Sequence, residues 1–231
     1  MPRSDSMSGV FDRRFYAGMS ALALCVVLAG FARTYYLKGL FGAPSLPLIL
    51  HAHGAVMTAW FLLFLTQVAL IRAKRVDLHR LAGIAGVGCA CALIPIALAT
   101  ARQFVVRSLD DPDLPIAAAI AGYDAVSLAV FAILVGSALA WRRRPDIHKR
   151  LMTLATLSLL GPPLARLMGD QAAVLASNAI VLLPVAIDTI WHRRLHPAFG
   201  WGAALTVLST HAALALVTSP GWTPFVVHLV R

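Results

Sequence analysis

The chain has 231 residues, 59% of them hydrophobic and 13% charged, with a mean hydropathy of +0.78 and a formal net charge of +10. A soluble domain of this size would lack the polar side chains to cover its own surface, so an aqueous globular fold is excluded and lipid must be part of the solvent. The positive charge does not point to nucleic acid, because Lys and Arg stand at the ends of apolar runs and not in a stripe interleaved with aromatics.

Seven apolar stretches fill nearly the whole chain, near residues 14–36, 46–71, 78–101, 115–141, 147–168, 171–191 and 197–219. A membrane-crossing helix needs about 20 mostly apolar residues. The sequence therefore predicts an all-α, polytopic bundle of seven transmembrane helices, forming a single transmembrane domain over residues 1–231 with almost nothing left for a soluble domain.

The first span follows Arg3, Arg13 and Arg14 and ends in Ala29-Gly30-Phe31-Ala32, a pattern shared with secretory signals. Its length, and Tyr35 and Tyr36 placed as interfacial anchors after it, favour a retained span. Basic residues at the connections set the orientation. Arg3, Arg13, Arg14, Arg72, Lys74, Arg75, Arg80, Arg142, Arg143, Arg144, Lys149, Arg150, Arg193 and Arg194 fall on one side, fourteen in all, against six on the other: Arg33, Lys38, Arg102, Arg107, Arg166 and Arg231. The positive-inside rule then puts the N-terminus in the cytoplasm and the C-terminus outside, with Asp110, Asp111 and Asp113 facing outward.

In the second span, His51 and His53 diverge by ~200° at ~100° per residue, so both cannot reach one centre on an unbroken helix. His53 shares its face with Met57, Trp60, Phe64 and Gln67, which makes it the inward residue. The third span carries Cys89 and Cys91, two apart and so pointing in nearly opposite directions; with Cys25 they read as packing residues and not as metal ligands or a disulfide. Ala82, Gly86 and Ala90 recur every four residues, a spacing that permits close helix approach.

Arg75-Val-Asp-Leu-His79-Arg opens the third span, Arg144-Pro-Asp-Ile-His148-Lys opens the fifth, and Arg194-Leu-His196-Pro opens the seventh. The repeat divides the chain into three hairpins after the first span. Asp77 and Asp146 are placed to cap their helices, Pro197 suits a first helical turn, and His79, His148 and His196 fall at the interface, with a cytoplasmic-side ligand or quinone contact as their alternative use. The fifth span also contains Gly161-Pro162-Pro163, which removes two backbone donors within the membrane and breaks the helical ladder. Backbone of that kind is tolerated where protein buries it or where it lines a cavity, and broken helices mark binding sites in transporters.

Ionisable groups inside lipid are costly and mark a cavity, a pathway or a cofactor. At 1.5 Å per residue, His53 of the second span and His211 of the seventh both lie ~10 Å from the outer boundary. Asn178 of the sixth span falls at about that depth, Tyr123 and Asp124 of the fourth slightly deeper, and Arg33 and Arg166 nearer the boundary. The expected site is thus an outer-leaflet layer in which His53 and His211 hold a cofactor or ion, with Asp124 in reach.

The set His53-Gly54, Gln67, His79-Arg80 with Gly83, and His148-Lys149 with Met152 resembles a group of uncharacterised bacterial multi-pass membrane proteins. The His-Lys-x-x-Met opening of the fifth span is also similar to that of small membrane proteins that help assemble haem-copper oxidases, and histidines on several bundle helices resemble the plan of di-haem b-type membrane cytochromes. These resemblances imply an inner-membrane location and haem or respiratory chemistry, with a quinone or a respiratory complex as partner; they carry no catalytic residue onto this chain. The first functional expectation is a redox protein binding haem b or a transition metal through His53 and His211, with Arg33 and Arg166 pairing with haem propionates. The alternatives are a proton-coupled or anion transporter using Asp124, His53 and His211 beside Arg166, and a non-catalytic assembly protein. Motifs of serine hydrolases, zinc proteases and Walker-type ATPases are missing from the sequence, and no lysine lies in the seventh span to hold a retinal.

Overall fold

The computed structural model describes residues 3–231, with side chains from residue 10 onward, so the side chain of Arg3 lies outside the described residues. The chain is helical throughout: α1 (Arg3–Gly30), α2 (Leu48–Arg72), α3 (Val76–Arg107), α4 (Leu114–Ala140), α5 (Pro145–Leu157), α6 (Gly161–Met168), α7 (Asp170–His192), α8 (Pro197–Val217) and α9 (Trp222–Val230). Seven helical segments are long and apolar enough to cross a membrane, and α5 and α6 together make the fifth of them. The protein is a multi-pass membrane protein whose partner along most of its length is lipid.

The fifth span is the axis of the bundle. It packs against α1, α4, α7 and α8, while α2 and α3 form an outer pair joining α1 to α4. Phe11 of α1 stacks on Trp191 of α7 at 4.2 Å and links the two helices at one end. In the most apolar stretch of the fifth span 56% of residues are buried, against 17% in the third, and the enclosed span is also the less apolar of the two, with a mean hydropathy of 1.3 against 2.2.

The predicted break falls inside the fifth span, and the structure shows how the chain absorbs it. α5 ends at Leu157, Ser158–Leu160 tighten into a 3-10 turn, and α6 restarts at Gly161 with Pro162 and Pro163 in its first turn. There the missing N–H groups had no intrahelical partner to lose. The kink is packed from outside: a Cβ added to Gly30 would lie 2.5 Å from the Pro163 carbonyl oxygen, so the close approach of α1 to α6 requires glycine at that point.

Several expectations need correction. The first span does not reach 36 as one α-helix; α1 stops at Gly30 and Ala32–Tyr36 continue as a π-helical turn. Tyr35 and Tyr36 pack on α2, donating to the His51 carbonyl at 3.2 Å and pairing with the Thr58 hydroxyl at 2.7 Å. Asp77 and Asp146 are not N-caps, because Arg75 and Arg144 occupy those positions and the aspartates lie in the first turn, where their charge still meets the positive helix end. Gly86 marks no close approach, since a Cβ there would meet nothing within 4 Å. The short helix α9 was not expected; Trp222 anchors it by donating to the Ala118 carbonyl at 2.9 Å.

Candidate functional site

The clearest concentration of chemistry lies where α5 begins, at the end of the bundle that carries the fourteen basic residues. Pro145 presets the first turn of α5, and Arg150 follows within two turns, facing α7. Asp188 stands one turn before the end of α7 and meets it. The guanidinium grips the carboxylate through Nη2 to Oδ1 at 2.7 Å and Nε to Oδ2 at 3.1 Å, and Nη1 donates to the Asp146 carbonyl at 2.8 Å. The Phe199 ring lies 5.6 Å from the guanidinium carbon. Only 4% of Arg150 and none of Asp188 is exposed, so this pair is withdrawn from both water and lipid. A buried ion pair of this kind does little for net stability, but removing one partner strands a charge.

Around the pair, a cleft of about 180 Å³ is lined by Asp146, Lys149, Arg150, Asp188, His192, Arg194 and His196. His192 is one turn beyond Asp188; its Nδ1 faces the Asp188 carbonyl at 3.0 Å and a carboxylate oxygen at 3.4 Å, both acceptors, so that nitrogen carries a hydrogen. His196 caps α8, its Nδ1 accepting from the Ala198 amide at 3.2 Å. The hydrogen of neutral His196 is therefore on Nε2, 3.4 Å from an Asp146 oxygen. Burial, and next the charge of Arg150, hold this imidazole below the usual histidine range.

The wall toward α1 adds a second ion pair, Lys149 with Asp12, and the Lys149 ammonium also sits 5.2 Å from the Tyr16 ring centre. Tyr16 is 7% exposed, and its hydroxyl has no hydrogen-bond partner among the described residues although Arg150, Asp188 and Asp12 all act on it electrostatically.

The expected outer-leaflet residues are distributed differently. His53 is half-buried, with Nδ1 enclosed and unpaired among the described residues, whereas His51 is exposed. Arg166 acts electrostatically on both His53 and Asp124, so these three share one neighbourhood beside the break; Tyr123 lies there too, its ring against Gly161 and its hydroxyl beside Thr210. His211 is exposed on the outside of the bundle, its Nε2 engaged by the Asn178 amide at 3.1 Å. Arg33 is exposed too and covers the Phe41 ring at 5.4 Å. α2 packs mainly on α1 and α3 while α8 packs on α4, α5 and α7, so His53 and His211 stand on helices that do not pack extensively on one another. Among the described residues, no three His, Cys, Asp or Glu side chains group to hold a metal ion.

Of the repeated histidines, His148 donates through Nδ1 to the Ala138 carbonyl at 2.8 Å and His196 is a cap, while the Nδ1 of His79 is enclosed without a partner among the described residues. Sequence reasoning missed Asp188 and Tyr16 and counted Arg150 only as a topology signal. The signal for Asp188 was present: it is a lone carboxylate in the run Ile180–Trp191, where a charge needs a partner. No protein-family model, curated protein or solved structure matches this chain.

Proposed function

We propose that the protein is a solute transporter of the inner membrane whose translocation axis is the broken fifth span. The observation that carries this reading is the position of that span: the segment packed among α1, α4, α7 and α8 is the one that is interrupted within its length, with Arg150 buried before the break and Arg166 exposed near the end beyond it. Packing alone would favour an unbroken apolar helix at the centre, as unpaired backbone and charge are expensive there. The fourteen-to-six distribution of basic residues supports a cytoplasmic position for the cleft, with the C-terminus outside. A reporter fused after Arg231 is expected to be active only outside the cytoplasm.

Transport is tested in proteoliposomes with an entrapped pH dye, a small oxyanion supplied outside and an inward proton gradient. Protein-dependent flux is the expected result, and flux no greater than in protein-free vesicles sinks the proposal. A second reading, a redox protein carrying haem or a metal with a quinone or respiratory complex as partner, is favoured by one observation, the enclosed and unpaired Nδ1 of His53. A b-type reduced-minus-oxidised spectrum of purified protein would put that reading first.

A further inference from the structure

We infer that the cleft at the start of α5 is a binding site for a small monovalent oxyanion that enters together with one proton, Asp188 taking the proton and Arg150 the anion. The inference deepens the transport reading and takes its purpose from it, but binding alone tests it.

Lys149, Arg150 and Arg194 line the cleft with Asp146 and Asp188, and Asp12, which pairs with Lys149 from behind, completes three cations against three carboxylates. A neutral cluster in a low-dielectric setting resists a bare anion, because the added charge has no uncompensated partner. A proton arriving with the anion restores neutrality. Asp188 is the carboxylate at which one proton has the greatest consequence, since it occupies both arms of the Arg150 fork. Protonated, it no longer competes as a charged acceptor, and Nη2 and Nε turn to two oxygens of a planar oxyanion, the geometry that a guanidinium matches best.

The groups needed for such an exchange are already placed on every surrounding element. From α7, His192 holds its Nδ1–H against the Asp188 carboxylate and reaches the cleft, so that a solvent proton gained at its Nε2 lets it pass the Nδ1 proton to Asp188 and end as the other neutral tautomer. From the start of α8, His196 and its partner Asp146 of α5 form the opposite wall, and exposed Arg194 supplies a second cation for the incoming charge. From α1, Asp12 holds Lys149, and the Tyr16 ring backs the same ammonium at 5.2 Å. At ~30 Å³ per water in the liquid, the cleft has room for an oxyanion and a few waters. On release the proton leaves Asp188 and the fork closes on the carboxylate again.

The test is calorimetric titration of detergent-purified, full-length protein with nitrate, whose own charge does not change near neutrality. One proton taken up per anion requires about tenfold tighter binding for each unit that the pH falls between ~8 and ~6. It also requires a proton uptake of one, read from the heats in two buffers of different ionisation enthalpy. The Asp188→Asn variant should bind nitrate with no pH dependence. The double variant Arg150→Met with Asp188→Leu, which leaves no stranded charge, should fold and bind none. Affinity independent of pH in the native protein, or nitrate binding retained by the double variant, overturns the inference. So does a thermal shift given by phosphatidylglycerol in nanodiscs but not by nitrate, which would make the site a lipid headgroup pocket. Binding without flux would remove the transport reading alone, and flux without binding would remove this one alone.

Discussion

The third and fifth spans are both apolar by composition, yet the bundle uses them in opposite ways. The third runs unbroken from Val76 to Arg107 at the edge of the bundle, with Leu81 and Ile84 exposed at 66% and 71% where lipid would lie. The fifth is shorter, enclosed and interrupted, and it buries Arg150, Thr153 and Thr156. Only where protein surrounds a helix can its charges find partners and its broken ladder be shielded, so polar chemistry collects on the central span and the peripheral one serves as a wall. Pro95 illustrates the other side of the rule: α3 carries it without ending, a single proline inside a continuous helix.

The largest effect that would sharpen this contrast comes from the buried pair. Asp188→Ala leaves the Arg150 guanidinium stranded and should cost about 3–5 kcal/mol, seen as a large fall in thermal unfolding temperature in detergent, while the Arg150→Met and Asp188→Leu double variant should regain most of the loss. On the third span, Ile84→Ala should stay within about 0.5 kcal/mol, as a substitution on an open surface does. Equal losses at Asp188 and Ile84 would break the comparison. Next comes the kink: Gly30→Ala places a methyl group 2.5 Å from the Pro163 carbonyl oxygen and should destabilise by about 1–3 kcal/mol. Gly86→Ala on α3 meets open space and should stabilise by about 0.5–1 kcal/mol through helix propensity.

The smallest expected effect is a pH dependence at the mouth of the cleft. His196 has a folded-state pKa below its ordinary value because burial, and then Arg150, disfavour the imidazolium. Its neutral form is therefore the one that folding favours. The contribution is fully present above the unfolded value near 6.5 and is lost as pH falls through the lower folded value. His196→Asn keeps a capping side chain and removes the titration, so the native protein should lose more stability than the variant as pH falls below about 6.5. Parallel pH profiles for the two proteins would show that the imidazole titrates as freely folded as unfolded.

Much of this architecture was legible because membrane physics constrains it tightly. Each crossing needs a long apolar run, and each run stands out in the sequence. Pro197 was correctly placed in the first turn of α8, and the break at Gly161-Pro162-Pro163 was legible because proline has no N–H to donate. Local geometry was harder to read. The first aspartates of α3 and α5 look like caps, but the chain enters each helix two residues earlier, and Pro145, with its fixed φ, holds the first position of α5.

The sequence by itself determined the solvent, the all-helical class, the seven crossings and the end of the bundle at which basic residues gather. Which span lies at the centre was decided only by the tertiary structure. In water a helix declares its buried face through an apolar stripe, but in lipid the outward face is as apolar as the inward one, and that signal disappears. Depth can be counted along each helix, which is why His53 and His211 looked like partners, yet depth says nothing of azimuth. The pairing of Arg150 with Asp188, 38 residues apart, required the fifth and sixth spans to turn those two faces together. That rotation is set by the packing of α1, α4 and α8 around the same axis and is encoded in no single segment.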